Sequence, residues 1–428
     1  MAVRTEADCL LATGVLYRER LGLRPRDRGD APLIFVGFKD AAFSIYDGDE
    51  PIYHFDLEGR WRRAFINGIH YLKANDGSTQ SMDRVRRDGQ MILERGTLAF
   101  AAARDLDERI RNVAVELLAR LSAEAFEFEP PPQPEQTLDL ERLRAILDDV
   151  SRYDAARWFA HVERQRAAYG PPPFVPPDCR HALVLEATLH GTRAQTDPDG
   201  ARIVRDPSEF ERHALDVQRL HGRAIAEFRR GFLAGTDALL AAPELVAAWI
   251  EITHSLFGFD EIQTMLVPDD RAGALPPLSR LSGYRAIGLR RITLGVESGD
   301  PVIRSRRGLA WDNDAVARWT REVREAGIGL SAVVLVGAGG ADREREHLEA
   351  TVGFLSACAF GSGDVVALLD ADSFRLDDAS ASGRDPSSTS LDAAARDRRT
   401  AAFRAALNAA LKPAGVKVVP YMIEKQAF

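Results

Sequence analysis

The sequence predicts an α/β protein in two parts, a small N-terminal α+β domain and a partial (β/α)6, TIM-like barrel. Two observations predict this architecture. Residues 130–136 form a proline-rich break, which forbids helix and favours a stiff extended connection. After the break, six short apolar runs alternate with helical stretches, as in a parallel sheet covered by helices. We therefore expect domains at 1–129 and 137–375, a linker at 130–136, and a C-terminal loop, helix and strand at 376–428.

The N-terminal domain is predicted from strands and one long helix. The runs LIFVGF, AFSIY and PIYHFD indicate strands, and Asp47-Gly48 supplies a turn between the second and the third. A helix is expected from about Arg104 to Ala125. In the segment that follows PIYHFD, Arg60, Arg62 and Arg63 flank Trp61, a pattern that we interpret as a solvated sheet edge in preference to a binding face.

The second domain is predicted from its apolar runs. They are HALVLEA, RRGFLA, EIQTMLV, RITLGV, LSAVVLV and DVVALLD. A helix ending near Leu411 and a last strand in VKVVPYMI are expected beyond them. In parallel α/β architectures ligands bind beyond the carboxyl ends of the strands, so the chemistry should lie just after each run.

Composition restricts the class of partner. The chain has 428 residues with 56 Lys and Arg against 64 Asp and Glu, a net charge of −8, so we expect no nucleic acid partner. The first apolar run is too short and too charged at its end for a membrane-spanning helix, so we expect no membrane partner. Three separated cysteines suit a reducing, cytoplasmic location. The expected partner is a small-molecule substrate, with a protein partner or carrier as the further option.

Three strand ends carry candidate residues. Asp237, after the second run, either caps a helix or binds a ligand amine. Glu297, at the tip of the fourth, faces the predicted barrel mouth, although Ser298 or Asp300 followed by a proline also suits a capped helix start. After the fifth run, a turn with three glycines lets the backbone approach a ligand. These glycines are Gly337, Gly339 and Gly340.

Several segments in order resemble the radical S-adenosylmethionine (radical SAM) superfamily over about residues 155–375. They are FVPPDCRHALVLEATLHG, RDPSEFERHALDVQRL, RRGFLAGTDALLAAPEL, YRAIGLRRITLGVESGDPVIRS and EAGIGLSAVVLVGAGG. The resemblance implies a SAM-binding barrel. It departs from the superfamily at the loop where three cysteines hold a [4Fe-4S] cluster, because those positions fall on Gly191, Thr196 and Asp199. We therefore expect no [4Fe-4S] cluster at the usual loop.

The resemblance also implies residue roles. Glu297 with Ser298 is expected to meet the ribose or the amino acid moiety of SAM, and Gly235 with Asp237 the amino group. The glycine turn is expected to lie near the adenine and ribose. Arg193 is expected to bind the SAM carboxylate in place of the missing cluster iron. The cofactor-binding set is Gly235, Asp237, Glu297, Ser298, Gly337, Gly339, Gly340 and Arg193. The catalytic candidates are His190, Asp197 and Asp199 on the altered loop and Glu186 on the strand before it.

Three functions remain open at this stage. The first is an enzyme, a cluster-free radical SAM homologue that binds SAM and catalyses polar transfer or elimination at the sulfonium, as a transferase or lyase. The second is a non-catalytic pseudoenzyme that serves as a scaffold for a partner protein. The third is a radical SAM enzyme with an unconventional iron–sulfur site. Scattered histidines without ligand spacing argue against a zinc site.

Overall fold

A computed structural model describes most of the chain. The described residues are 19–26, 32–39, 41–87, 90–169, 174–179, 181–189, 203–268, 274–307, 309–340, 342–371 and 393–421. Contacts between Cα atoms divide the chain into two compact units. The first unit is Met1–Pro172 with Asp216–Phe228 and Glu424–Phe428, and the second is Pro173–Leu215 with Arg229–Ile423. Within the described ranges, no helix is both long and apolar enough to cross a membrane.

The first unit contains an antiparallel sheet of nine strands. Its strands are β1 (Arg20–Pro25), β2 (Ile34–Lys39), β3 (Ala42–Asp47), β4 (Ile52–Phe55), β5 (Trp61–Ile66), β6 (Ile69–Lys73), β7 (Thr79–Arg87), β8 (Gln90–Thr97) and β9 (Phe126–Glu129). The strands follow chain order from β8 to β1, and β9 pairs with β1 at the end. Consecutive hairpins make this order, and Gly48 supplies the positive φ that the turn after β3 needs.

Three helices complete the first unit: α1 (Phe100–Ser122), α2 (Leu140–Ser151) and α3 (Ala155–Tyr169). Apolar residues of α1 recur every three or four positions, and this stripe is buried. Asp139 caps α2, because its carboxylate accepts hydrogen bonds from two backbone N–H groups of the first turn. One face of the sheet is buried as well, at Val36, Ile45 and Ala64. The first hydrophobic core therefore forms from this face and from the apolar helix stripes.

The second unit contains a parallel sheet of seven strands. They are β10 (Ala182–Glu186), β13 (Arg230–Ala234), β14 (Ile262–Leu266), β15 (Leu289–Glu297), β16 (Gly329–Val336), β17 (Val365–Asp370) and β18 (Lys417–Tyr421). They lie in chain order, each parallel to the next. The short strands β11 (Thr188–Leu189) and β12 (Ile203–Val204) pair separately. The interior of the sheet is almost wholly buried, which explains its continuous apolar runs.

Helices connect the strands of the parallel sheet. They are α4 (Pro207–His221), α5 (Pro243–Phe257), α6 (Leu278–Ala286), α7 (Pro301–Arg306), α8 (Asn313–Glu325), α9 (Glu344–Ala357) and α10 (Ala393–Leu411). The alternation of strand and helix in chain order is the pattern of parallel α/β architecture. Asp300 caps α7 with Pro301 at its first position, as one of the two interpretations of this segment predicted.

The α/β class is confirmed, and all six apolar runs form strands in the predicted order. The predicted last strand, β18, and the helix ending at Leu411 are also present. The described sheet is open, with β10 and β18 at its two edges. The helix expected from Arg104 to Ala125 instead spans Phe100–Ser122. The boundaries predicted for the domains and the linker stay a prediction.

The interpretation of residues 60–63 as a solvated sheet edge is wrong for Arg60 and Trp61. Strand β5 lies inside the sheet between β4 and β6, and both Arg60 and Trp61 are buried. A shift of register between His54 and Phe55 opposite this segment turns Trp61 toward the packed face, while Arg63 stays exposed. Alternation alone could not locate that shift.

Candidate functional site

The candidate site is the edge of the parallel sheet at which its strands end. Because all seven strands run in the same direction, their carboxyl ends meet at this edge. Glu186 ends β10, Gly235 follows β13, Glu297 ends β15 and Gly337 follows β16. Residues far apart in the chain are thereby brought to one edge, as the sequence predicted.

Glu186 is a buried carboxylate at the end of the edge strand β10. The residue is only 4% exposed, and its backbone pairs with Ala234 of β13 on one side. On the other side, its backbone N–H donates to Nε2 of His213 at 2.9 Å. The His213 ring thus satisfies a backbone donor that no further strand pairs.

Among the described residues, Arg205 is the cationic neighbour of the Glu186 carboxylate. Nη2 of Arg205 lies 3.4 Å from its Oε2, a long contact for a charged pair. Burial raises the pKa of Glu186 from 4.5 to about 7, although Arg205 acts in the opposite direction. Nε of Arg205 is itself buried and has no hydrogen-bond partner within the part of the chain that the structure describes. A carboxyl group poised near neutral pH, beside an unused donor, is suited to proton transfer.

Asp237 is held by Thr188, the second residue after β10. The Thr188 hydroxyl donates to Oδ1 of Asp237 at 2.6 Å, and both side chains are buried. Asp237 makes no capping hydrogen bond to the short helix after it, so capping is not its role. Gly235 has a φ of 120°, and a Cβ there would lie 2.0 Å from Oγ1 of Thr188. The glycine is therefore required for close packing on Thr188.

Glu297 and Ser298 differ in what they contact. Glu297 has a φ of 55°, a left-handed conformation that is rare for a residue with a side chain, and its carboxylate accepts a hydrogen bond from Nε of Arg307. Ser298 is fully buried, with its hydroxyl 2.8 Å from Nδ1 of His347. Because Nε2 of His347 contacts the Leu335 carbonyl, Nδ1 is the acceptor for that hydroxyl. Ser298 thus orders the loop that carries Glu297.

The glycines after β16 play different parts in their turn. Gly337 has a φ of 87°, and a Cβ there would lie 2.4 Å from the guanidinium carbon of Arg399. Gly339 packs on the Arg343 carbonyl. Gly340 has a φ of 64° and open space where a Cβ would stand. Of these three glycines, only Gly340 is therefore free of close contacts from the residues that the structure describes.

The remaining candidates lie outside the described residues. They are His190, Asp197, Asp199 and Arg193, together with the positions of the missing cluster ligands, Gly191 and Thr196. Their roles stay predictions. Among the residues that the structure does describe, no three His, Cys, Asp or Glu side chains are grouped to hold a metal ion.

Sequence reasoning missed several residues of this edge. Arg205, His213 and Thr188 surround Glu186 and Asp237, and Arg307 and Arg399 contact Glu297 and the glycine turn. Arg205 and Thr188 lie next to strand ends, which was an available signal. Arg399 gave none, because it lies in a helix more than fifty residues after the turn that it packs on.

Comparison with known proteins gives structural likeness only. The chain matches no family model and no curated protein. It is similar to the apo structure of the cobalamin-dependent S-adenosylmethionine radical enzyme OxsB, at 15% identity and a TM-score of 0.30, over 42% of this chain and 27% of OxsB. The chain thus spans about a quarter of OxsB.

Two further solved structures are similar to this chain. Methylornithine synthase PylB has 14% identity and a TM-score of 0.35, over 61% of this chain and 75% of PylB. HydG, a maturase of the [FeFe]-hydrogenase, has 12% identity and a TM-score of 0.36, over 77% and 70%. Because the TM-scores are low, we transfer no residue role, ligand or activity from them.

Proposed function

We propose that this chain binds S-adenosylmethionine at the carboxyl edge of its parallel sheet and catalyses polar transfer or elimination at the sulfonium. The sheet would form the wall of a partial (β/α)6 barrel with this edge as its mouth. The observation that carries the proposal is the buried carboxyl of Glu186, whose pKa of about 7 suits a general base at neutral pH. The resemblance of the sequence supplies the choice of SAM.

The residues of this edge fit the charges of SAM. Nε of Arg205 is a buried donor that no described residue accepts from, and it suits the SAM carboxylate. The buried carboxylate of Asp237 suits the amino group. The open space at Gly340 suits a flat ring close to the backbone. When bound, SAM supplies a sulfonium whose three attached carbons are electrophilic, so the chemistry needs no electron donor.

Each residue then has a defined task. In its ionised form, which is about half of the population at pH 7, Glu186 accepts the proton of an incoming nucleophile, or of the carbon from which an elimination begins. Arg205 stays beside it and holds the anionic group. Arg307 fixes the orientation of the Glu297 carboxylate, which accepts hydrogen bonds from the ribose hydroxyls.

Titration calorimetry with SAM tests the proposal, combined with mass spectrometry of the products. We expect binding at micromolar SAM and formation of S-adenosylhomocysteine or methylthioadenosine. Glu186→Gln should keep the affinity within a few-fold and lower product formation by about 100-fold or more, because one positioned base is removed. Glu349→Gln, at an exposed position of α9, is the matched control. Absence of binding at millimolar SAM rejects the proposal.

A scaffold function is the second candidate, and one observation favours it. At the end of β15, the side chains of Glu297, Ser298 and Asp300 already have internal partners in Arg307, His347 and Arg343. A scaffold would bind no SAM and would form a stable complex with another protein. Stoichiometric iron and sulfide in anaerobically purified protein would replace both proposals with the radical one.

A further inference from the structure

One face of the nine-stranded sheet carries a row of rings across the strands. The register pairs Phe35 with Tyr46, Tyr46 with Ile52, Ile52 with Phe65 and Phe65 with His70. Since residues directly opposite one another point to the same side of a sheet, these five side chains share a face. They cross five adjacent strands, about 19 Å at the usual spacing.

This row is accessible. Phe35 is 47% exposed and His70 is exposed, while Tyr46, Ile52 and Phe65 are half-buried. The neighbours of the row on the opposite face, such as Val36 and Ile45, are buried. The rings of Phe65 and His70 lie 4.5 Å apart between their centroids. A contiguous aromatic row that the core does not use is a mark of a binding surface.

The charges that β2 to β7 place on this face have a single sign, whereas Glu127 and Glu129 of β9 share the face beyond β1. Four exposed cations lie on this face: Lys39, Arg63, Arg84 and Arg86. Lys39 and Arg63 each lie an even number of positions from a residue of the aromatic row in the same strand. Arg84 and Arg86 lie an even number of positions from Met82, which pairs with His70. In the described strands β2 to β7, this face carries no carboxylate. The acidic residues Asp47 and Asp83 belong to the alternate positions. A chain with a net charge of −8 thus concentrates cations on the β2 to β7 part of one sheet face.

A groove lies at the β1–β3 end of the same face. Its volume is about 1090 Å³, and Phe35, Tyr46, Arg20, Lys39 and Gln136 line it, with Asp49 as an acidic lining residue. Gly37 and Ser44, which pair in the register, also line the groove, and the Glu19 carbonyl packs closely on Gly37. The groove therefore offers rings, cations and an amide side chain together.

We propose that this sheet face binds single-stranded nucleic acid. Flat bases would stack on Phe35, Tyr46, Phe65 and His70, and the phosphates would lie against Lys39, Arg63, Arg84 and Arg86. An acidic peptide fits less well, because peptides dock on sheets mainly through unpaired backbone groups of an edge strand. The interior strands of this face have no unpaired edge and present only side chains.

This proposal revises the expectation of no nucleic acid partner. That expectation rested on the net charge of the whole chain and on the absence of a basic stripe in the sequence. A stripe built across strands is dispersed in sequence, since Lys39, Arg63 and Arg84 are more than twenty residues apart. Only the register brings them together.

Fluorescence anisotropy with a labelled RNA of about 12 nucleotides tests the proposal on the full chain. Phe65→Ala and Phe35→Ala should each weaken binding by about tenfold, because each removes a stacking platform. Arg63→Glu should weaken it further and flatten its salt dependence. Phe100→Ala and Arg166→Glu are the matched controls, at exposed positions on helices away from this face, and should leave the affinity unchanged.

The salt dependence identifies the ligand chemistry. Neutralisation of four phosphates gives a slope of about −3 in a plot of log K against log salt. No binding of the RNA at low salt would overturn the proposal. Equal weakening by the control substitutions would do so too, as would tighter binding of a polyglutamate peptide than of RNA. Phe35→Ala keeps the test valid if the half-buried Phe65 is needed for folding.

Discussion

Two buried charged side chains, Arg60 in the first unit and Glu186 in the second, differ in how completely they are partnered. Nε of Arg60 donates to Asp56 at 2.6 Å, Nη1 to the Leu220 carbonyl and Nη2 to the His221 carbonyl, both at 2.9 Å. Every guanidinium nitrogen thus has an acceptor. Two of these acceptors are carbonyls of the last turn of α4, the part of that helix that belongs to the first unit. A cation at this end also offsets the helix dipole.

Glu186 has a much poorer set of partners. In the described ranges, its carboxylate has a single long contact at 3.4 Å with Arg205, and Nε of that arginine is buried with no acceptor there. Burial therefore raises its pKa to about 7, whereas the pKa of Arg60 lies above its ordinary value because Asp56 offsets the burial. The difference teaches that burial alone does not mark a functional group. A buried charge whose partners are incomplete does.

The largest expected effect is the loss of Arg60. Arg60→Met leaves the Asp56 carboxylate buried without its cation and removes the donors of two carbonyls, so the free energy of unfolding should fall by about 3–5 kcal/mol. Hydrogen exchange of peptides from β3 to β5, measured by mass spectrometry, would report the change locally. Arg166→Met, which breaks an exposed ion pair, should change little. If Arg60→Met left the free energy of unfolding unchanged, the conclusion that Arg60 is a fully partnered structural charge would be wrong.

Replacing Glu186 should change the free energy of unfolding in the opposite direction and raise it. With its pKa raised from 4.5 to about 7, the folded state keeps a proton that the unfolded state has lost. The contribution is fully present below pH 4.5 and is lost as the pH rises through 7. Glu186→Gln mimics the protonated form, so above pH 7 it should be more stable than the wild type by about 3 kcal/mol, with little difference at pH 4.5.

Hydrogen exchange of the β10 and β13 peptides at both pH values checks this sign. Glu349→Gln should show no pH-dependent difference from the wild type. A less stable Glu186→Gln above pH 7 would mean that the ionised carboxylate is well partnered. The contrast with Arg60 would then disappear.

The third effect concerns His161, which contacts Arg60. Because Nη1 of Arg60 donates to Nδ1 of His161 at 3.1 Å, the other ring nitrogen carries the proton and contacts Oδ1 of Asn75. Burial, then Arg60 and Arg62, lower the pKa of His161 from 6.5 to about 2. Its contribution is therefore present above pH 6.5 and is lost as the pH falls.

Between pH 6.5 and pH 5, this histidine alone should lower the free energy of unfolding by about 2 kcal/mol. Glu186 acts in the reverse direction over the same interval, and so does Glu227 of the first unit, whose pKa burial also raises to about 7. The contribution of His161 is therefore measured as the difference between the wild type and a variant. His161→Gln keeps an acceptor for Arg60 and should reduce the slope in the first unit. His254→Gln, at an exposed position, should leave that slope unchanged. An unaltered slope in His161→Gln would assign the pH response to other groups, His221 foremost.

The same contrast explains what the sequence could predict. The apolar runs of β13 to β17 predict strands correctly because both faces of that sheet are buried. Strands β7 and β8 were missed because polar residues such as Arg84 and Glu94 interrupt the apolar pattern. Glu186 was predicted as a strand-end residue, but its raised pKa depends on burial that only the packed structure defines. Arg60 was misread, because its acceptors at Leu220 and His221 are 160 residues away.

The smallest expected effect concerns Gly337 and Gly340, two glycines in one turn of the candidate site. Ala at Gly337 or at Gly340 must adopt a positive φ, which costs about 1 kcal/mol in either case. Gly337→Ala must also displace the guanidinium of Arg399, so it should be the more destabilising of the two in exchange experiments. Gly340→Ala meets nothing within contact distance, so any further effect must come from a ligand. If SAM approaches this turn, Gly340→Ala weakens its binding in calorimetry more than it weakens the fold, and an unchanged SAM affinity would remove the glycine turn from the proposed site.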